Sequence, residues 1–147
     1  VQSRNYTDIQ ILLYSSAEDL WDDWERGKVF DALFLDIEFQ YMSGFELAQR
    51  IRCADPNIPI IFVTNSNRYL IQGYEVSAYR YLLKPVRQEE ISACLDYCYA
   101  DYASRWLHNH AERAHRSAAL SRCALHNVRC TFYIHLYSLR PNLSHSA

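Results

Sequence analysis

The chain has 147 residues, enough for one compact domain with a real core and too few for two full ones. Half of the residues are apolar, 14% are aromatic and 22% are charged, which excludes wholesale disorder; no apolar run is long enough to span a bilayer, so no membrane role is expected. The formal net charge of −2 hides two unlike parts: residues 1–104 hold nine Lys/Arg and sixteen Asp/Glu, and residues 105–147 hold six Arg, one acid (Glu112) and all six histidines. The shift sets an expected boundary between a domain over 1–104 and a basic His/Arg-rich tail over 105–147. No basic-then-apolar leader is visible and the five cysteines are odd in number, so the expected setting is reducing and cytoplasmic. The chain opens on Val1 rather than Met, and a segment upstream is left open as an expectation.

Asp8 to Tyr14 reads as the first strand. Ser15-Ser16 then offers an N-cap with Asp19 in a capping-box position, and Ala17, Leu20, Trp21 and Trp24 follow at helical spacing until Gly27. Phe30 to Leu35 is a short buried strand ending at Asp36. A loop over Ile37 to Met42 leads to a second capping box, Ser43 with Glu46, whose helix buries Leu47, Ala48 and Ile51 and stops at Asp55-Pro56-Asn57. Ile58 to Val63 is the third strand, ending at Thr64. Arg68 to Val76 reads as a helix weakened by Gly73, Tyr79 to Leu83 as a fourth strand ending at Lys84-Pro85, and Glu89 to Tyr102 as the last clear helix.

Short apolar strands alternating with capped amphipathic helices predict an α/β fold, a doubly wound parallel sheet covered on both faces. In such sheets chemistry gathers at the carboxyl ends of the strands. Three strands end there in Asp36, Thr64 and Lys84, a carboxylate, a hydroxyl and an ammonium. A carboxylate can attack a phosphoryl group, and fixed positive charge and a hydroxyl donor would stabilise the charge spread over the transferring group. The plainer alternative is three unrelated polar residues, since polar side chains commonly follow buried strands. Cys94 and Cys98, with Cys123, Cys130 and His126, allow a zinc site to be drawn, but no CxxC pair is present and Cys94 and Cys98 fall on the apolar stripe Ile91, Cys94, Leu95, Cys98, Tyr102.

The stretch from Phe30 to Gly44 resembles the phosphoacceptor segment of response-regulator receiver domains. Ile58 to Thr64 is similar to the strand carrying their switch hydroxyl. Gly73 to Pro85, with Tyr74-Glu75-Val76, Ala78, Tyr81-Leu82-Leu83 and Lys84-Pro85, resembles their last strand, in the wording of receivers that precede LytTR-type DNA-binding domains. The similarity covers roughly residues 9–104. It implies a flavodoxin-like, CheY-like fold, with Asp36 as phosphoacceptor, Thr64 as the hydroxyl that follows the phosphoryl group, Lys84 as counter-charge and Tyr81 as an aromatic switch. It also implies Mg²⁺ held by Asp36 and the backbone carbonyl of Glu38, and a sensor histidine kinase as partner. Tyr81 has a plain reading too, as an edge-strand aromatic.

The sequence departs from the family at its start. The usual first strand, which ends in the acidic pair that holds Mg²⁺, and the usual first helix are absent; Asp8 to Tyr14 aligns with the family's second strand. In the family order 2-1-3-4-5 the missing strand lies inside the sheet, between the second and third. Two repairs are compatible with this: direct pairing of those strands, or insertion of Cys130 to Ser138, the only β-rich run in the tail. That run carries no acids, so Mg²⁺ binding is expected to be weak or lost either way. Gln40 stands where the family usually has Pro, and Phe39 where it often has Met. The tail is too short for a LytTR-type output domain; Arg105 to Leu125 is expected to extend the last helix.

Three functions follow. The first is a phosphorelay receiver, a stoichiometric phosphoacceptor rather than an enzyme, with a homodimer as a further expected state. The second is a degenerate receiver that binds a protein partner without phosphorylation. The third is a nucleic-acid-binding protein, contacting DNA through the basic tail or through an output domain. A metabolic enzyme is disfavoured, since there is no Gly-rich phosphate loop, Cys/His dyad or helically spaced carboxylate pair.

Overall fold

A computed structural model of the chain describes residues 9–38, 41–65, 67–69, 75–116 and 130–134. The elements are β1 (Ile9–Leu12), α1 (Ala17–Glu25), β2 (Ala32–Asp36), α2 (Gly44–Ala54), β3 (Ile60–Thr64), β4 (Arg80–Leu83), α3 (Gln88–Arg116) and β5 (Cys130–Ile134). All strand pairs are parallel, in the order β1-β5-β2-β3-β4.

Local chemistry accounts for the boundaries. Ser16 caps α1 by accepting from the Asp19 backbone N–H at 3.1 Å. Ser43 and Glu46 close the expected capping box on α2, each accepting from the other's backbone N–H. β3 begins after Pro59, whose ring leaves no N–H for the ladder, while its carbonyl accepts from the Leu33 N–H at 2.9 Å. The helix expected over Arg68 to Val76 is corrected in part: Asn67–Tyr69 forms a 3₁₀ turn and residues 75–77 a turn with Ser77 at φ 49°, while residues 70–74 lie outside the described residues. The last helix continues beyond Tyr102 to Arg116, as the expected extension from Arg105 requires; residues 117–125 of that expected extension lie outside the described residues.

The core follows from strand alternation. Leu33 and Leu35 of β2, with Ile60 and Phe62 of β3, face α1 and α2 and pack on Leu20, Leu47, Ala48 and Ile51. Ala32 and Phe34, with Ile61 and Leu82, face the other way, onto Cys94 and Cys98 of α3. Every residue of β2 is buried, as expected of a parallel strand covered on both faces.

β5 occupies the slot left by the family's first strand. Ile9 to Leu12 register with Cys130 to Tyr133, and Ala32 to Phe34 with Phe132 to Ile134. Of the two repairs the sequence allowed, insertion of the tail run is the one observed, over residues 130–134; residues 135–138 lie outside the described residues. Among the described residues β5 is the sole sheet neighbour of β1.

Candidate functional site

The site is built from three strand ends. Asp36 is the last residue of β2 and Thr64 the last of β3, and Lys84 follows directly on β4. Because the strands are parallel and in register, with Asp36 beside Val63 and Thr64 beside Leu83, all three side chains arise at one edge. The Lys84 Nζ donates to Asp36 Oδ2 at 2.5 Å, and each of the two side chains is only 10% exposed. The Lys84 N–H donates to the Thr64 carbonyl at 3.0 Å, which ties the ends of β3 and β4 together. The Lys84–Pro85 peptide bond is cis. Thr64 is fully buried.

The second oxygen of Asp36, Oδ1, accepts from the Glu38 N–H at 3.0 Å, which turns the chain sharply after β2. That turn has two supports the sequence did not single out. Gly44, the first residue of α2, sits so close that a Cβ there would lie 1.9 Å from the Asp36 carbonyl oxygen, and its N–H donates to the Ile37 carbonyl at 3.2 Å. The one available signal was a glycine at a first helical turn, where better helix formers are common. Glu18, in the first turn of α1, accepts from the Met42 N–H at 2.8 Å and so anchors the far end of the same loop. No local pattern joins residues so far apart in sequence.

Tyr81 pairs with Phe62 across β3 and β4, the ring centroids 5.2 Å apart. Its hydroxyl is buried and has no hydrogen-bond partner among the described residues. Burial pushes the Tyr81 phenol up to about 12. The structure therefore brings Asp36 and Lys84 into contact and Thr64 to the neighbouring strand end, and sets the half-buried Tyr81 ring against the core beside Phe62.

The metal ligands expected from the resemblance were Asp36 and the Glu38 carbonyl. Both Asp36 oxygens are engaged, one by Lys84 and one by the Glu38 N–H. Among the described residues no group of three or more His, Cys, Asp or Glu side chains converges on a metal position. β5, in the slot of the strand that carries the acids in the family, is Cys-Thr-Phe-Tyr-Ile over Cys130–Ile134. The described residues thus do not reproduce the donor set that Mg²⁺ uses in a receiver. Cys94 and Cys98 are both buried in the α3-side core, where burial pushes the Cys94 thiol up; Cys123 and His126 lie outside the described residues. No described helix is long and apolar enough to cross a membrane.

Comparison with known proteins agrees with this geometry. The response regulator receiver domain family matches residues 2–96. The transcriptional regulatory protein NatR of Bacillus subtilis (strain 168) is 30% identical over 90 residues, which cover 60% of this chain and 38% of NatR. The sensory transduction protein LytR of Staphylococcus epidermidis is 36% identical over 82 residues, covering 54% of this chain and 32% of LytR. The match therefore spans about a third of the length of these relatives. The crystal structure of the response regulatory domain of protein mrkE from Klebsiella pneumoniae superposes with a TM-score of 0.53 at 28% identity, over 58% of this chain and 69% of that one. With its parallel sheet, its strand-end residues and these relatives, the chain belongs to the response-regulator receiver domain family of two-component systems.

Proposed function

We propose that this chain is a phosphorelay receiver in which Asp36 accepts a phosphoryl group from the phosphohistidine of a sensor kinase. A carboxylate oxygen of Asp36 forms the new P–O bond as the donor's P–N bond breaks, and the nitrogen retains the electron pair. The product is an acyl phosphate, so the chain is modified once and is not an enzyme. Lys84 leaves its present bond to Asp36 and neutralises the oxygens of the transferred group. The Thr64 hydroxyl turns toward that group, and Tyr81 carries the change to the surface of β4 by repacking against Phe62.

The observation that supports this reading best is the contact of Lys84 Nζ with Asp36 Oδ2 at the edge where Thr64 also ends its strand. The reading takes residues 1–104 as the receiver unit and 105–147 as a basic tail that lends it a helix extension and a central strand. It places the chain in the cytoplasm beside its kinase, with DNA contact left to an output domain or to the tail.

A second reading, a docking module that takes no phosphate, is favoured by a specific observation. Among the described residues no acidic cluster accompanies Asp36, and both oxygens of its carboxylate are already bonded. Mg²⁺ binding is weak or lost in either case. Intact mass after incubation with acetyl phosphate, with and without Mg²⁺, separates the two. The receiver reading expects a gain of one phosphoryl group that Asp36→Asn abolishes. No gain in a folded sample, shown folded by circular dichroism, leaves the docking module.

A further inference from the structure

We propose that the slot between β1 and β2 is a strand-exchange site, and that in a dimer of this chain residues 130–134 of each copy fill the slot of the other.

The path of the chain carries the argument. α3 has 29 residues, about 43 Å of helix, whereas the strands it packs on are no more than five residues, about 17 Å. The helix starts just after β4, at the carboxyl edge of the sheet. By Tyr97 it has reached the opposite edge, where that ring stacks 3.6 Å from Tyr79, the residue before β4. One to two turns later Asp101 and Arg105 line a cavity of about 460 Å³ with Pro56 and Pro59, at the entry to β3. From Arg105 to Arg116 the helix therefore projects about 17 Å past the sheet.

β5 must then begin back at that edge, beside β2. The thirteen residues 117–129 join the two elements, and a stretch of that length reaches at most about 45 Å. The slot of the same copy is well within that reach. So is the slot of a second copy set against the projecting helix.

Exchange forfeits no bonds in this arrangement. β5 meets both neighbours through backbone ladders, which are the same whichever copy supplies the strand. A second copy also has apolar surface to cover. Ile11 and Leu13 beside the slot are 50% and 55% exposed, and Leu107 on the projecting helix is 52% exposed. β1 cannot stay in the sheet unaided, since β5 is its sole described neighbour. The partner is thus a second copy of this chain, and the sheet that carries Asp36 is complete only with a strand supplied at the slot.

The register supplies the test. Ile9 lies directly opposite Cys130, so Ile9→Cys places two cysteines at paired positions of β1 and β5, within the Cα separation a disulfide spans. Equal amounts of unlabelled and ¹⁵N-labelled full-length Ile9→Cys chain are refolded together at high protein concentration and oxidised. The linked peptides containing residues 9 and 130 are then weighed. Exchange gives a covalent dimer in which about half of the 9–130 pairs carry one strand of each isotope, as random assortment of two copies requires. Pairs of a single isotope only, in a monomer at every concentration, overturn the proposal, and so does the absence of any 9–130 link. The double variant Ile11→Cys/Phe132→Cys, at the paired position two residues along, repeats the test should Ile9→Cys fold poorly.

Discussion

The two sides of the sheet are assembled in different ways. β2, β3 and β4 follow one another in the chain, pair in that order, and end in Asp36, Thr64 and the residue before Lys84. β1 is separated from β2 by β5, a strand that arrives from the far end of the chain. On the first side the backbone pairing and the side-chain chemistry come from the same residues. On the second, the borrowed strand restores backbone pairing, because any extended run with free N–H and C=O groups can do that. It does not restore the acids, because those depend on residue type. A sheet is thus more easily repaired than a site.

The comparison is broken most strongly on the β2–β4 side. Gly44→Ala puts a methyl group 1.9 Å from the Asp36 carbonyl oxygen, a backbone atom that cannot swing aside. The expected cost is about 3 kcal/mol, read from chemical denaturation. The turn after Asp36 should move with it, so on the proposed receiver reading acetyl phosphate uptake on Asp36 should fall by more than the loss of folded protein explains. Unchanged stability would mean that the turn after β2 is looser than its hydrogen bonds imply.

The borrowed side should respond differently. Phe132→Pro removes a backbone donor from β5 between two neighbours. Losing one or two ladder bonds costs about 2 kcal/mol, confined to β1 and β5. Hydrogen exchange should show the amides of Gln10 to Leu12 losing protection while those of Ile61 to Val63 keep theirs. Equal loss on both sides would show that the sheet opens as one unit and that the distinction between the sides is one of origin alone.

The same contrast explains what could be read from the sequence. Asp36, Thr64 and Lys84 were legible because each ends a buried apolar run, and parallel pairing alone then brings the ends together. The capping boxes were legible because they are local. The slot was not decidable, since nothing in Cys130–Ile134 says which strands it will join. The extent of α3 was legible only in part: the apolar stripe that marks a buried face ends at Tyr102, and composition alone suggested the extension from Arg105, which is observed as far as Arg116, while residues 117–125 lie outside the described residues. Gly44 and Glu18 act across space, on a carbonyl and on an amide of another element, and no spacing rule carries that information.

The smallest expected effect concerns Tyr81, whose buried hydroxyl lacks a partner among the described residues. An unpaired buried hydroxyl is a cost, so Tyr81→Phe should stabilise the chain by about 1 kcal/mol near neutral pH. The pH dependence has a definite sign. Burial raises the folded phenol from 10.0 to about 12, so between those values the folded chain holds a proton that the unfolded chain has lost. The stability this contributes is full below pH 10 and disappears as pH climbs toward about 12. Tyr81→Phe should therefore flatten the alkaline limb of a stability profile that the parent shows. It should leave the β1 amides as protected as before, since the ring lies on the β2–β4 side, against Phe62. A parent profile with no such limb would mean that the phenol reaches solvent, and that the core beneath Asp36 is already open enough for the ring to turn.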